Sequence, residues 1–178
     1  MLSFQNMSLR RNGELLIEQL ALTIYQGQKV GLVGANGIGK TSLFKLILGE
    51  LDADIGQLDL SPGIRIAHMA QEIPGADVTA LEYVVSGDSD LVAVKARLAQ
   101  AEQNAQFDKV AQLFEEIKDL DGFSAEARAE QLLVGLGFSE TTFENPLKSF
   151  SGGWRVRLNL ARTLMKPSDL LLLDEPTN

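Results

Sequence analysis

The chain contains no cysteine, which excludes disulfides, thiolate metal centres and a thiol nucleophile. No apolar run approaches the about 18 residues that a membrane-crossing helix needs. The N-terminal stretch Met1-Leu2-Ser3-Phe4-Gln5-Asn6 lacks the basic and long apolar regions of a signal peptide. No direct membrane insertion is expected, so any membrane link would come through a partner. Positive charge is scarce: 16 Lys and Arg stand against 24 Asp and Glu, a formal net charge of -8. That balance argues against coating nucleic acid or an anionic membrane by bulk charge, while leaving room for a local basic patch. Internal repeats and low-complexity tracts are also lacking. With no signature of an oxidising compartment, the cytoplasm is the expected location. What remains is a 178-residue chain, 45% hydrophobic and 22% charged, large enough for one domain with a real core.

Residues 2–9 and 20–25 cluster apolar residues as short strands, and the Asn12-Gly13 turn signal between them predicts an antiparallel start. Val30–Val33 reads as a compact apolar strand running into glycines, and Thr41–Leu48 as a helix closed by Gly49. Strand-like runs at Gln57–Leu60 and Ile64–Met69 flank the turn Ser61-Pro62-Gly63. Val78–Val85 reads as helical. Leu91, Val94, Leu98 and Ala101, then Val110, Leu113, Phe114, Ile117 and Leu120, recur at helical spacing. The short polar break Asn104–Asp108 predicts that these two stretches fold back as a hairpin held by narrow apolar stripes. Ala125–Leu136 is a further predicted helix ended by Gly137. Ser151 opens a last helix through Met165, and Leu170–Leu173 is a strand covered on both faces. A strand entering a glycine loop and helix, with a second apolar strand near the other end, implies an α/β domain with a largely parallel sheet.

The sharpest motif is Gly34-Ala35-Asn36-Gly37-Ile38-Gly39-Lys40-Thr41, which fits the phosphate loop G-x-x-x-x-G-K-[ST]. Glycines let the backbone curl so that successive N–H groups face phosphate oxygens, and the helix that follows adds its positive end. Lys40 would reach the β- and γ-phosphates of ATP, and the Thr41 hydroxyl would ligate Mg²⁺. Ser42, next along the helix, completes the nucleotide-binding set. Asp169-Leu170-Leu171-Leu172-Leu173-Asp174-Glu175 supplies an apolar strand ending in acids, and ligands of such sheets bind beyond the carboxyl ends of strands. Asp174 is placed to hold Mg²⁺ and Glu175 to polarise the attacking water. Phe150-Ser151-Gly152-Gly153-Trp154 has two readings: an ordinary helix N-cap after a turn, or a second anion site built from Ser151 and the Gly152 and Gly153 amides.

Together these motifs resemble the ATP-binding cassette (ABC) family. Gly34–Thr41 matches its Walker A motif, Leu170–Glu175 its Walker B motif, and Phe150–Trp154 its signature motif. Gln71, after the strand Ile64–Met69, matches the Q-loop glutamine that senses Mg²⁺ and the γ-phosphate. The finer resemblance is to the ABC-F subfamily, carried by Phe150–Leu158, by Asp174-Glu175-Pro176-Thr177-Asn178, and by the hairpin near 88–121, which is similar to the ABC-F arm. The resemblance implies a P-loop ATPase core (residues 1–71 and 151–178) with an antiparallel β edge. It further implies a helical subdomain (72–150) that carries the arm-like hairpin. Two departures stand out. The residue expected to stack on adenine falls at Arg11, whose planar guanidinium can also stack on a base. The chain also stops at Asn178, before the D-loop and switch histidine of the family, and His68 precedes Gln71 and is no substitute.

The resemblance implies that two cassettes sandwich two ATPs, each Walker site facing the other's signature residues Ser151, Gly152 and Gly153. It implies ATP hydrolysis with Glu175 as catalytic carboxylate, negligible turnover by residues 1–178 alone, and a role in translation through ribosomal RNA, ribosomal protein or tRNA. Two rivals stand beside that expectation: the ATP-binding subunit of a membrane transporter, and an ATP-gated clamp whose hydrolysis is incidental.

Overall fold

A computed structural model describes residues 1–11, 13–69 and 77–174, in two compact units. The first, Met1–Ile66 with Ser168–Leu172, is built on the strands β1 (Leu2–Arg11), β2 (Glu14–Ile24) and β3 (Ile55–Leu60). They lie in the order β2-β1-β3, with both pairs antiparallel. Arg11 faces Glu14, so the expected antiparallel hairpin is present; Asn12 itself lies outside the described residues.

Along β1 the apolar residues fall at 2, 4, 7 and 9, which breaks a strict period of two. The structure absorbs the extra residue in a bulge: the register slips between Phe4 and Met7 against β2 and between Gln5 and Ser8 against β3, and Asn6 turns to φ 50. Leu2, Phe4, Met7 and Leu9 thereby join one buried cluster. Gly56 sits against the bulge with φ +74, and a Cβ there would collide with the Gln5 and Asn6 carbonyl oxygens. Only glycine fits at that point.

Helix α1 (Lys40–Ile47) closes the unit, with Leu43, Leu46 and Ile47 buried beside the β1 residues and beside Leu172 of β5 (Leu170–Leu173). Its end carries the expected glycine signal. The Gly49 amide donates to the Leu46 carbonyl (3.1 Å) and the Glu50 amide to the Lys45 carbonyl (2.8 Å), the two bonds of a Schellman ending.

The structure corrects two strand expectations. Val30–Val33 is not paired into a sheet, and Val30, Leu32 and Val33 are 58%, 44% and 95% exposed. A strand is a set of ladder hydrogen bonds to a neighbour, and no described strand supplies them. In β5 burial alternates instead of covering both faces: Leu172 is buried and Leu171 is 37% exposed. Its partner in a two-stranded sheet is β4 (Ile66–Met69), the strand that carries His68.

The second unit, Ala67–Pro167 with Leu173–Asn178, is mainly helical: α2 (Ala80–Val85), α3 (Ser89–Gln103), α4 (Phe107–Asp119), α5 (Ala125–Gly135) and α6 (Gly152–Met165). Thr79 and Glu82 form a capping box at the start of α2, and Asp88 caps α3 through the Leu91 amide. Helices α3 and α4 form the expected hairpin, turning at Ala105 with φ 52. Its stripes do more than zip the pair. Leu91, Val94, Ala101, Leu113 and Ile117 join the same core as Tyr83, Leu133, Phe143 and Leu158. Phe114 departs from its expected place and is 42% exposed. The buried stripe follows 110, 113, 117 and 120, and 114 is one step round the helix from it.

Candidate functional site

The phosphate loop belongs to the first unit. Residues 34–38 are exposed at the entry to α1, whereas Ser42 in its first turn is buried. Gly39 is the N-cap residue with φ 109, and a Cβ there would stand 3.1 Å from Leu16 Cβ. This turn requires glycine on both backbone and packing grounds. The first helical bond, Leu43 amide to Gly39 carbonyl at 2.9 Å, leaves the leading N–H groups of α1 directed at the loop. The Lys40 ammonium donates back to the Gly34 and Ala35 carbonyls at 2.8 and 3.0 Å, and the Ile38 amide closes the loop onto the Ala35 carbonyl at 3.3 Å. One ammonium, a curled backbone and a helix N-terminus converge there, a chemistry complementary to polyphosphate.

Asp174 follows β5 and is 5% exposed. Just before β5 lies a pair that the sequence reading missed. Arg65 Nε and Nη2 each donate to the Asp169 carboxylate at 3.0 Å, and the Arg65 amide adds a third bond at 3.0 Å. The hydrogen bonds from Arg65 hold the Asp169 carboxyl down at about 2. The Asp169 and Leu170 amides in turn donate to the Arg65 carbonyl, so the pair fixes the start of β5.

Ser151 takes the N-cap position of α6 without a side-chain capping bond, and Gly152 and Gly153 form the first turn. A Cβ on either glycine would meet nothing within 4 Å. Phe150 and Trp154, flanking this turn, both rest against Phe138. Arg11 ends β1 with its side chain exposed. Gln71 and Glu175 lie outside the described residues. Among the described residues no group of three or more His, Cys, Asp or Glu is gathered as a metal cluster. No described helix is long and apolar enough to cross a membrane.

Comparison with known proteins identifies the family. The family described as "ABC transporter" matches residues 17–178. Over 178 residues the chain is 44% identical to "Probable ATP-binding protein YheS" of Haemophilus influenzae, covering all of this chain and 28% of that protein. It is 38% identical over 174 residues to "ATP-binding cassette sub-family F member 2" of Bos taurus, covering 97% of this chain and 27% of that one. The chain thus spans between a quarter and a third of these relatives. Among solved structures, a metal-chelate type ABC transporter in an inward-facing conformation superposes with a TM-score of 0.70 at 23% identity, over 99% of this chain and 60% of that one. At that identity the likeness speaks for the fold, the α/β P-loop core of an ABC cassette. The chain belongs to the ATP-binding cassette family, and within it resembles the F-type proteins.

Proposed function

We propose that this chain carries one ATP half-site of an F-type ABC ATPase that works on the ribosome in the cytoplasm. The observation that carries the ATP reading is the phosphate loop, with Gly39 held at φ 109 and the Lys40 ammonium poised over the Gly34 and Ala35 carbonyls. We read residues 1–71 and 151–178 as the ATPase core and 72–150 as the helical subdomain. Backbone amides of Gly34–Thr41 bind the phosphates with Ser42 next to them, and Arg11 offers a planar cation to the base. By their chemistry the Thr41 hydroxyl, the Gln71 amide oxygen and the Asp174 carboxylate are each oxygen donors of the kind Mg²⁺ takes, and the ion would neutralise charge on the β- and γ-phosphates. Glu175 orients the attacking water.

The signature turn fits a partner cassette. Its two glycines answer no need of this chain's own packing, and glycine costs roughly 0.5–1 kcal/mol relative to alanine in a helix. Leaving that space open suits a nucleotide held by the opposing cassette. The ribosomal reading rests on the F-type relatives and on the α3–α4 hairpin, which exposes Lys95, Arg97, Lys109 and Lys118. Arg97 and Lys109 also border a polar cleft between the helices with Gln100, Asn104, Gln106 and Gln112.

Glu175→Gln in the whole protein should keep ATP binding while turnover falls on the order of 10²–10⁴, the scale of a positioned base. Near wild-type turnover would remove Glu175 from the mechanism. That variant, trapped with ATP, should co-sediment with ribosomes, and Lys95→Glu with Lys109→Glu, at exposed positions of the hairpin, should weaken co-sedimentation without loss of ATP. If the trap with an unaltered hairpin never binds ribosomes at low salt, the translation reading fails and the transporter reading moves ahead.

A further inference from the structure

The turn Ser151-Gly152-Gly153 is short of side chains, so its own residues do little to hold its conformation. It is pinned from outside by one ring. Phe150, just before it, meets Phe138 edge-on with centroids 5.7 Å apart and planes at 71°. Trp154, just after it and the only tryptophan of the chain, meets the same ring at 4.7 Å and 62°. Both distances fall in the range of favourable aromatic pairs.

Phe138 is itself fixed. It is 5% exposed and follows Gly137 in a Schellman ending of α5: the Phe138 amide donates to the Leu133 carbonyl and the Gly137 amide to the Val134 carbonyl, each at 3.0 Å. Arg157 adds a second strut from the same helix end, its guanidinium 4.7 Å from the Trp154 ring centroid and its Nη1 donating to the Leu136 carbonyl at 3.3 Å. Arg155 secures the approach, with Nε donating to the Phe150 carbonyl (2.9 Å) and Nη2 to the Lys148 carbonyl (3.0 Å).

We infer that Phe138 is a positioning residue for ATP turnover, clamping both flanks of the Ser151–Gly153 turn so that its hydroxyl and amides present one geometry to the opposing phosphate. The inference rests on the ATPase reading above. It places a determinant of turnover on the C-terminal end of α5, a residue that neither binds nucleotide nor belongs to a sequence motif.

The test uses the whole protein. Phe138→Leu keeps apolar bulk and removes the ring, Trp154→Leu removes the other half of one pair from a partly exposed position, and Trp154→Phe retains a ring. The readouts are kcat for ATP and affinity for a fluorescent ATP analogue, which reports Gly34–Thr41. Trp154→Leu should lower kcat by about three- to tenfold, the scale of losing one aromatic pair, and Phe138→Leu, which loses both, by at least as much. Analogue affinity should stay unchanged, and Trp154→Phe should recover most of the loss. Wild-type kcat in a folded leucine variant overturns the inference, as does a parallel loss of kcat and analogue affinity. Absence of ATP turnover in the wild-type protein would instead bring down the ATPase reading itself.

Discussion

Two glycine turns in this chain lead into helix N-termini, Gly34–Thr41 into α1 and Ser151–Gly153 into α6, and they are held in opposite ways. The first is made by its own residues. Gly39 takes a left-handed φ against Leu16, and Lys40 ties the loop through two of its carbonyls. The second has neither a positive φ nor a close neighbour at its glycines, and the rings on either side of it rest against Phe138, outside the motif. The first turn is thus stiffened internally, whereas the second is left open in front and braced from behind.

The largest expected effect separates the turns by what each contributes to binding. Lys40→Ala removes a charge-assisted contact worth about 1.5–3 kcal/mol, so affinity for a fluorescent ATP analogue should fall by roughly tenfold to a hundredfold. An unchanged titration would end the assignment of the first turn. Alanine at a glycine of each turn sharpens the contrast. Gly39→Ala forces a strained φ and should destabilise the protein by about 1–3 kcal/mol in denaturant melts. Gly153→Ala should cost no stability and still slow ATP turnover in the whole protein. Equal melting behaviour of the two variants would erase the difference drawn here.

The smallest effect concerns acid. Asp169, beside Arg65, has its carboxyl lowered from 3.8 to about 2. A carboxyl depressed by folding stabilises the protein above its unfolded value and loses that contribution as pH falls from about 4 towards 2. Both side chains are exposed, so solvent screens the pair and the effect is small. Asp169→Asn should flatten that part of the melting-temperature profile. An unaltered profile would show that the pair does not steady the start of β5.

Much of this was legible beforehand because it is local. The phosphate loop, the glycine ends of α1 and α5, and the α3–α4 hairpin each follow from residues within a turn or two of one another. The same holds for the antiparallel start signalled by Asn12-Gly13, although the strands reach closer to the turn than residues 2–9 and 20–25, with Arg11 paired to Glu14. The errors fell where a residue's state depends on something distant in sequence. Val30–Val33 has the composition of a strand but not the ladder partners, and Phe114 has the spacing of a core residue but lies one step off the buried stripe.

By itself the sequence determined the kind of chemistry available: a glycine-lysine loop at a helix start can serve phosphate because the requirement is met within eight adjacent residues. It also determined helix ends, through glycines that tolerate a positive φ. Only the tertiary structure decided which residues support those motifs. The Phe4–Met7 bulge needs Gly56 from β3, the β5 entrance is tied by Arg65, and both flanks of the Ser151–Gly153 turn rest on Phe138 from the end of α5. Each joins segments that periodicity cannot connect, since a contact across such a separation depends on packing, and packing is fixed only when the whole core closes.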